Sequence, residues 1–292
     1  MDIIRVENLS LKYGKQHIFN SISFSFEKGK MIGLIGPNGA GKSSIIKILA
    51  GLVKPECGEL YINELRQNSF SELRRYCGYL IDAPSFYPYL SAKQNLKLIS
   101  KLGKGATNLD ELLYKVGLID VGNKKVKHFS TGMKQRLAIA LALLRSPDIL
   151  ILDEPFNGLD PNGFQEVVEL LKKLNQKGVT IIISSHLLND LEQFSDAFLL
   201  LHKGKIALNL TKNNLMGNKR KVVLTFENTP NERACEYIKE MSGFFENSSK
   251  VVLHLRFNEI ADVVNNFVKL NQTPINIETL TVLQEKFMEI TI

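Results

Sequence analysis

Cysteine is scarce in this sequence: there are three in 292 residues, at Cys57, Cys77 and Cys235. An odd number spread so widely makes neither a disulfide framework nor a thiolate metal site, so a reducing compartment is expected. Long apolar runs are missing too. The longest, Leu137 to Leu144, lies between Arg136 and Arg145. It falls well short of the ~20 residues a membrane span needs and reads as a buried helix. Any membrane crossing is then left to another chain. The opening residues, Met1-Asp2-Ile3-Ile4-Arg5, do not read as a secretory leader.

What is present is ordinary for a soluble globular protein: 44% hydrophobic and 23% charged residues. The length allows one large domain and a smaller one. The formal charge is +7 and the pI about 9.1. The excess base is not evenly spread. Residues 1–217 hold 28 Lys+Arg against 20 Asp+Glu, and residues 218–292 hold 9 against 10. Such a balance suits nucleotide phosphates, an anionic membrane surface or nucleic acid, and solvated surface lysines explain it equally well.

The chemistry begins at Gly36-Pro37-Asn38-Gly39-Ala40-Gly41-Lys42-Ser43-Ser44. This fits G-x-x-x-x-G-K-[ST], the P-loop pattern. The apolar run Met31 to Ile35 before it reads as a buried strand, and Ser44 to Ala50 after it has helical apolar spacing. Strand, glycine loop and helix together give the pattern a mechanism. The glycines let backbone wrap an anion, and the loop and helix N–H groups face phosphate. Lys42 then sits on the β- and γ-phosphates and Ser43 ligates Mg²⁺.

The first thirty residues alternate apolar and polar and predict two strands, with turns at Gly14 and Lys28-Gly29. Tyr13 lies between them, where it could stack on a base or pack into a hairpin. A short strand over 59–62, a helix over 69–76 and a strand over 78–81 follow. Next comes an aromatic, proline-containing loop (PSFYPYL), and Ser91 with Gln94 makes a capping box. Residues from there to Leu144 read as mostly helical, with a basic patch at Lys124, Lys125 and Lys127. This is expected to be a helical insertion, about residues 85–145. Ile149 to Leu152 is an apolar strand ending in Asp153-Glu154. Asp160 and Pro161 start a helix as N-cap and N1. Val179 to Ser184 is another buried strand, with His186 just beyond. A hairpin spans 197–208. Composition changes near Gly217-Asn218, and residues 218–292 predict a small α+β accessory domain ending in a helix over 281–290, of order βαββαβ if Phe244-Phe245 adds a strand.

Four further signals follow the P-loop in one order. Phe129-Ser130-Thr131-Gly132-Met133-Lys134-Gln135-Arg136 lies just before the helix leading to the Asp153 strand. Asp153 ends an apolar strand, as a Mg²⁺-directed carboxylate does. Glu154 can orient and deprotonate an attacking water. Asn157-Gly158-Leu159-Asp160 and then His186 complete the set. With these residues the chain resembles the ATP-binding subunits of ABC transporters over about residues 3–215.

The resemblance implies an α/β P-loop NTPase core of mainly parallel sheet, with N-terminal antiparallel strands and a helical insertion. It implies ATP and Mg²⁺ as ligands. Tyr13 corresponds to the adenine-stacking aromatic, and Gly36, Pro37, Asn38, Gly39, Ala40, Gly41, Lys42, Ser43 and Ser44 to the Walker A loop. Asp153 and Glu154 correspond to the Walker B aspartate and catalytic glutamate, Asp160 to the end of the D-loop, and His186 to the switch histidine. It further implies a head-to-tail dimer in which Ser130 and Gly132 contact the γ-phosphate on the partner's P-loop. Two positions depart from the usual pattern. Thr131 and Met133 replace Gly and Gln of the signature, and Asp82 stands at the Q-loop glutamine, where a carboxylate could still reach Mg²⁺. The acidic Q-loop, the aromatic-proline loop and the small C-terminal domain are similar to bacterial exporters of the antibiotic-resistance and lantibiotic-immunity kind.

The expectation is a Mg²⁺-dependent ATPase on the inner face of the cell membrane, driving a separate transmembrane permease, with no nucleic-acid partner. The alternative is a soluble ABC-type ATPase acting on ribosomes or DNA. A single ATPase domain and the lack of a long coiled coil between Walker A and Walker B weigh against it.

Overall fold

The computed structural model describes residues 1–81, 86–101, 108–186, 188–211, 220–255, 259–270, 272, 274, 276–280, 284 and 288. Asp82 and the expected last helix over 281–290 lie outside this set, apart from Gln284 and Met288. Contacts divide the chain into two units, 1–209 and 210–292.

The first unit opens with β1 (Asp2–Tyr13) and β2 (Gln16–Glu27), which pair antiparallel. Their alternation seats Ile4, Val6, Leu9, Phe24 and Phe26 in a core while polar neighbours face out. β4 (Cys57–Ile62) and β5 (Leu65–Gln67) complete a sheet of order β2-β1-β4-β5. β5, only three residues long, gave no sequence signal.

The second sheet carries the chemistry. It is built on β3 (Met31–Ile35), β6 (Cys77–Leu80), β7 (Ile149–Asp153), β8 (Thr180–Ser185), β9 (Ala197–His202) and β10 (Lys205–Thr211). Its order is β10-β9-β3-β8-β7-β6. β3, β8 and β7 are apolar runs because both faces are covered, as parallel central strands require. Register fixes the functional rim. Ile35 pairs with Ser185, and Ser184 with Asp153, so β3, β7 and β8 end together. α1 (Lys42–Leu49) leaves β3 through the glycine loop and buries Ile45, Ile46, Ile48 and Leu49.

The expected helical insertion contains α2 (Ala92–Ser100), α3 (Leu109–Lys115) and α4 (Thr131–Ala142). The Ser91–Gln94 capping box forms as the sequence predicts. The expected helix over 69–76 is a tighter 3-10 turn, Phe70–Arg75. α5 (Pro161–Gln176) starts on its Asp160 cap, and α6 (Leu188–Glu192) follows β8.

The second unit contains β11 (Arg220–Thr225), α7 (Glu232–Glu240), β12 (Phe244–Phe245), β13 (Lys250–Leu255), α8 (Ile260–Lys269) and β14 (Asn276–Leu280). The sheet order is β12-β13-β11-β14, all antiparallel. Alternate residues Val222, Leu224, Val251, Leu253 and Leu255 meet Ala234, Ile238, Val263 and Phe267 of the helices in one core.

Candidate functional site

The glycine loop follows a strand buried along its whole length, and its geometry explains two of its glycines. A Cβ on Gly36 would lie 2.4 Å from the carbonyl oxygen of Leu201 in β9. Gly41 has a φ of +107, and a Cβ there would lie 2.4 Å from the Phe19 ring. The first is a close backbone approach and the second a left-handed helix cap. Gly41 caps α1 without a side-chain hydrogen bond, so the first-turn N–H groups keep their capacity for an anion.

Lys42 is 7% exposed. Its ammonium donates to the carbonyls of Gly36 at 2.6 Å and Pro37 at 3.3 Å, which folds it back over the loop. Burial lowers its pKa below the ordinary lysine value, opposed by the negative charges of Glu154 and Asp153. A cation held in the protein at an energetic cost, beside two carboxylates, is suited to phosphate oxygens.

Beyond the loop is a cleft of about 570 Å³. Its lining brings together Asn38, Gly39, Gly41, Lys42, Ser43 and Ser44 with Glu154, Asn157 and His186. Gln16 and Ile18 of β2 form another part of the wall. These two, and Asn157, were not among the predicted ligands. Gln16 is the register partner of Tyr13. Tyr13 itself is 48% exposed and is not among the lining residues. Gly36 and Ala40 are buried within the loop, where the Ala40 N–H donates to the Pro37 carbonyl at 3.1 Å.

Glu154 sits just past β7 with a φ of +47. That left-handed conformation costs a non-glycine residue about 1 kcal/mol, and functional sites are where such a cost is retained. It turns the side chain toward His186, whose Nδ1 is 2.9 Å from Oε2. An ionised carboxylate only accepts, so Nδ1–H is the donor. One residue that sequence reasoning missed supports both carboxylates. The fully buried Ser184 donates its hydroxyl to Asp153 Oδ1 and accepts the Glu154 N–H at 2.9 Å. The only local trace is that two serines end an isoleucine run directly before His186, and this does not by itself reveal the contact.

Ser130 and Gly132 lie at the start of α4. The Ser130 hydroxyl is the N-cap, accepting the Met133 N–H at 3.2 Å. A Cβ on Gly132 would stand 3.6 Å from the Gly163 Cα, so the two helices approach backbone to backbone there. Asp160 caps α5 by accepting the Gly163 N–H at 3.0 Å. None of these three lines the Lys42 cleft.

An α/β sheet whose strand ends gather a P-loop lysine, a strand-end aspartate, a glutamate and a histidine defines a P-loop nucleotide-binding core. The ABC transporter family model matches residues 19–157. The lantibiotic transport ATP-binding protein SrtF of Streptococcus pyogenes is 46% identical over 207 residues, covering 70% of this chain and 90% of its own. The bacitracin transport ATP-binding protein BcrA of Bacillus licheniformis is 40% identical over 225 residues, covering 75% and 73%. A solved ATP-binding subunit of an ABC transporter superposes with a TM-score of 0.63 at 33% identity, covering 73% of this chain and 91% of that one. A dimeric ATP-binding cassette in a post-hydrolysis state with ADP and Pi superposes at 0.62 with 27% identity, covering 72% and 98%. The chain belongs to the family of ATP-binding subunits of ABC transporters. Among the described residues no helix is long and apolar enough to cross a membrane.

Proposed function

We propose that this chain is the Mg²⁺-dependent ATPase of an exporter for antibiotic-like molecules, bound on the inner membrane face to a separate permease. The observation that carries the reading is the Glu154–His186 hydrogen bond at the rim of the Lys42 cleft. A module that only bound nucleotide would need neither side chain. The named relatives act in lantibiotic and bacitracin transport, which favours export over a ribosome- or DNA-directed ATPase.

In this reading the loop N–H groups and Lys42 hold the β- and γ-phosphates. Glu154 takes a proton from the water that attacks the γ-phosphorus while the bond to the β,γ-bridging oxygen breaks and ADP leaves with that oxygen, an effect typically worth 10²–10⁴-fold. His186 donates through Nδ1 and keeps the carboxylate aimed. Tyr13, on the hairpin that brings Gln16 and Ile18 to the cleft, is the candidate for stacking on the base. The donors fit a magnesium ion. Ser43 lines the cleft and is exposed, and Asp153, half-buried at the end of β7 and not itself among the lining residues, offers a carboxylate; Mg²⁺ takes one or two protein oxygens with the rest from phosphate and water. Such an ion would neutralise charge on the phosphates. Ser130 and Gly132 serve the γ-phosphate of a second chain in a head-to-tail dimer, which accounts for their lying outside this chain's own cleft.

The test is ATP turnover by the purified chain with Mg²⁺ and with chelator, beside Glu154→Gln. Magnesium-dependent turnover lost in the variant supports the reading. Equal turnover by both proteins removes Glu154 as the base.

A further inference from the structure

Among the described residues, the functional rim holds buried polar groups that the reading above does not use, and Ser184 is the one that touches both carboxylate residues. Ser184 is fully buried in β8, directly opposite Asp153 in the register of β7 and β8. Its hydroxyl has one proton. That proton goes to Asp153 Oδ1, and the oxygen then accepts the Glu154 N–H at 2.9 Å. Neither partner could exchange this bond for water without exposing the serine. Asp153 has two carboxylate oxygens, and Ser184 engages one of them. That bond restrains the rotation of the carboxylate. Glu154, next in the chain, leaves strand geometry with its φ of +47 and so loses the regular ladder at the point where its side chain must be aimed. Its N–H is the group that Ser184 holds.

We propose that Ser184 is a positioning residue that couples the metal-directed carboxylate to the general base. Through one hydroxyl it sets the oxygen that Asp153 presents and the backbone turn that carries Glu154. This rests on the assignment of Asp153 and Glu154 above. Outer hydrogen-bond partners of ligating carboxylates are worth 10–100-fold in affinity or activity when removed. Ser184 differs from such partners in serving two functional groups together. Losing it therefore impairs two separable properties, magnesium-assisted binding and the chemical step. A hydroxyl that merely satisfied a buried strand end would affect neither once the protein had folded.

The experiment uses the full chain as wild type, Ser184→Ala and Ser184→Thr. ATP affinity is measured by titration with Mg²⁺ and with chelator, and kcat and KM by phosphate release, with folded fraction set by thermal unfolding. For Ser184→Ala, the gain in ATP affinity on adding Mg²⁺ falls at least about tenfold, while affinity in chelator stays at the wild-type value. Its kcat per folded chain falls about 10–100-fold. Ser184→Thr, which keeps the hydroxyl, recovers most of both. An alanine variant with wild-type magnesium gain or wild-type kcat overturns the coupling, and so does a fall in melting temperature alone. A wild-type chain showing neither magnesium gain nor turnover contradicts the functional reading itself, which separates that failure from this one.

Discussion

The Nδ1 of His186 lies 2.9 Å from Oε2 of Glu154, joining two residues that stand just past the ends of adjacent strands β8 and β7. The contact is part-exposed at the edge of the Lys42 cleft, so its worth is one of aim rather than stability. Glu154→Gln is expected to lower kcat by about 10²–10⁴-fold. His186→Ala is expected to lower it as well, because the carboxylate loses its orientation. The two share one hydrogen bond, so the double variant should be little slower than the slower single variant. Phosphate release at saturating ATP, corrected for folded fraction, gives the cycle, and fully multiplicative losses would show that the residues act independently.

The loop glycines separate space from conformation. A methyl on Gly36 meets the Leu201 carbonyl at 2.4 Å, a backbone atom that moves only with β9. Gly36→Ala is expected to cost about 3 kcal/mol, since the loop or the strand must shift. Gly39 has a φ of +80 and nothing within 4 Å, so Gly39→Ala bears only the left-handed penalty, about 1 kcal/mol. Denaturant midpoints of the two variants order them, and the reverse order would contradict the close approach.

Much of this site was legible because its chemistry is local in sequence. The P-loop carries its own strand and helix, and Asp153-Glu154 ends an apolar run that only a doubly covered strand explains. The Ser91 and Asp160 caps were equally readable, since each bonds to an N–H three residues on. Ser184 was not legible as a functional residue. Its role depends on the register of β8 against β7, which pairs residues thirty-one positions apart, and no local pattern gives that alignment. Gln16 and Ile18 were missed for a similar reason, because the hairpin reaches the cleft through tertiary packing. Tyr13 was picked out as an aromatic residue, and the residues that wall the cleft are its neighbours on the same hairpin.

Cys77 gives a pH prediction with a definite sign. Burial first, and the nearby charge of Asp148 second, push its thiol up from 9.0 to about 12. Between those values the unfolded chain loses the proton while the folded chain keeps it. Stability therefore falls as pH rises above 9, by about 1.4 kcal/mol at pH 10 from this group. Cys77→Ala adds a pH-independent cavity cost but removes the slope. The stability gap between wild type and variant, measured in urea from pH 8 to 10.5, should narrow steadily above pH 9. A constant gap would mean that Cys77 does not titrate differently on unfolding.

Ser130 tests the dimer. As N-cap of α4 its hydroxyl contributes about 1 kcal/mol to stability, and Ser130→Ala loses that in any assembly. In a head-to-tail dimer the residue has a second task, because each site joins the P-loop of one chain to the α4 N-terminus of the other. A chain with Ser130→Ala then keeps a sound P-loop, and one with Lys42→Met keeps a sound Ser130. Each alone forms only defective sites. Mixed, they form heterodimers in which one site has Lys42 from the first chain and Ser130 from the second. Random pairing at equal amounts makes about half of the dimers mixed, each with one whole site, so turnover should recover to roughly a quarter of wild type. Recovery requires that the two residues reach one nucleotide from different chains. If turnover in the mixture stays at the mean of the two variants, Ser130 does not serve a partner's phosphate, and its role is confined to capping its own helix.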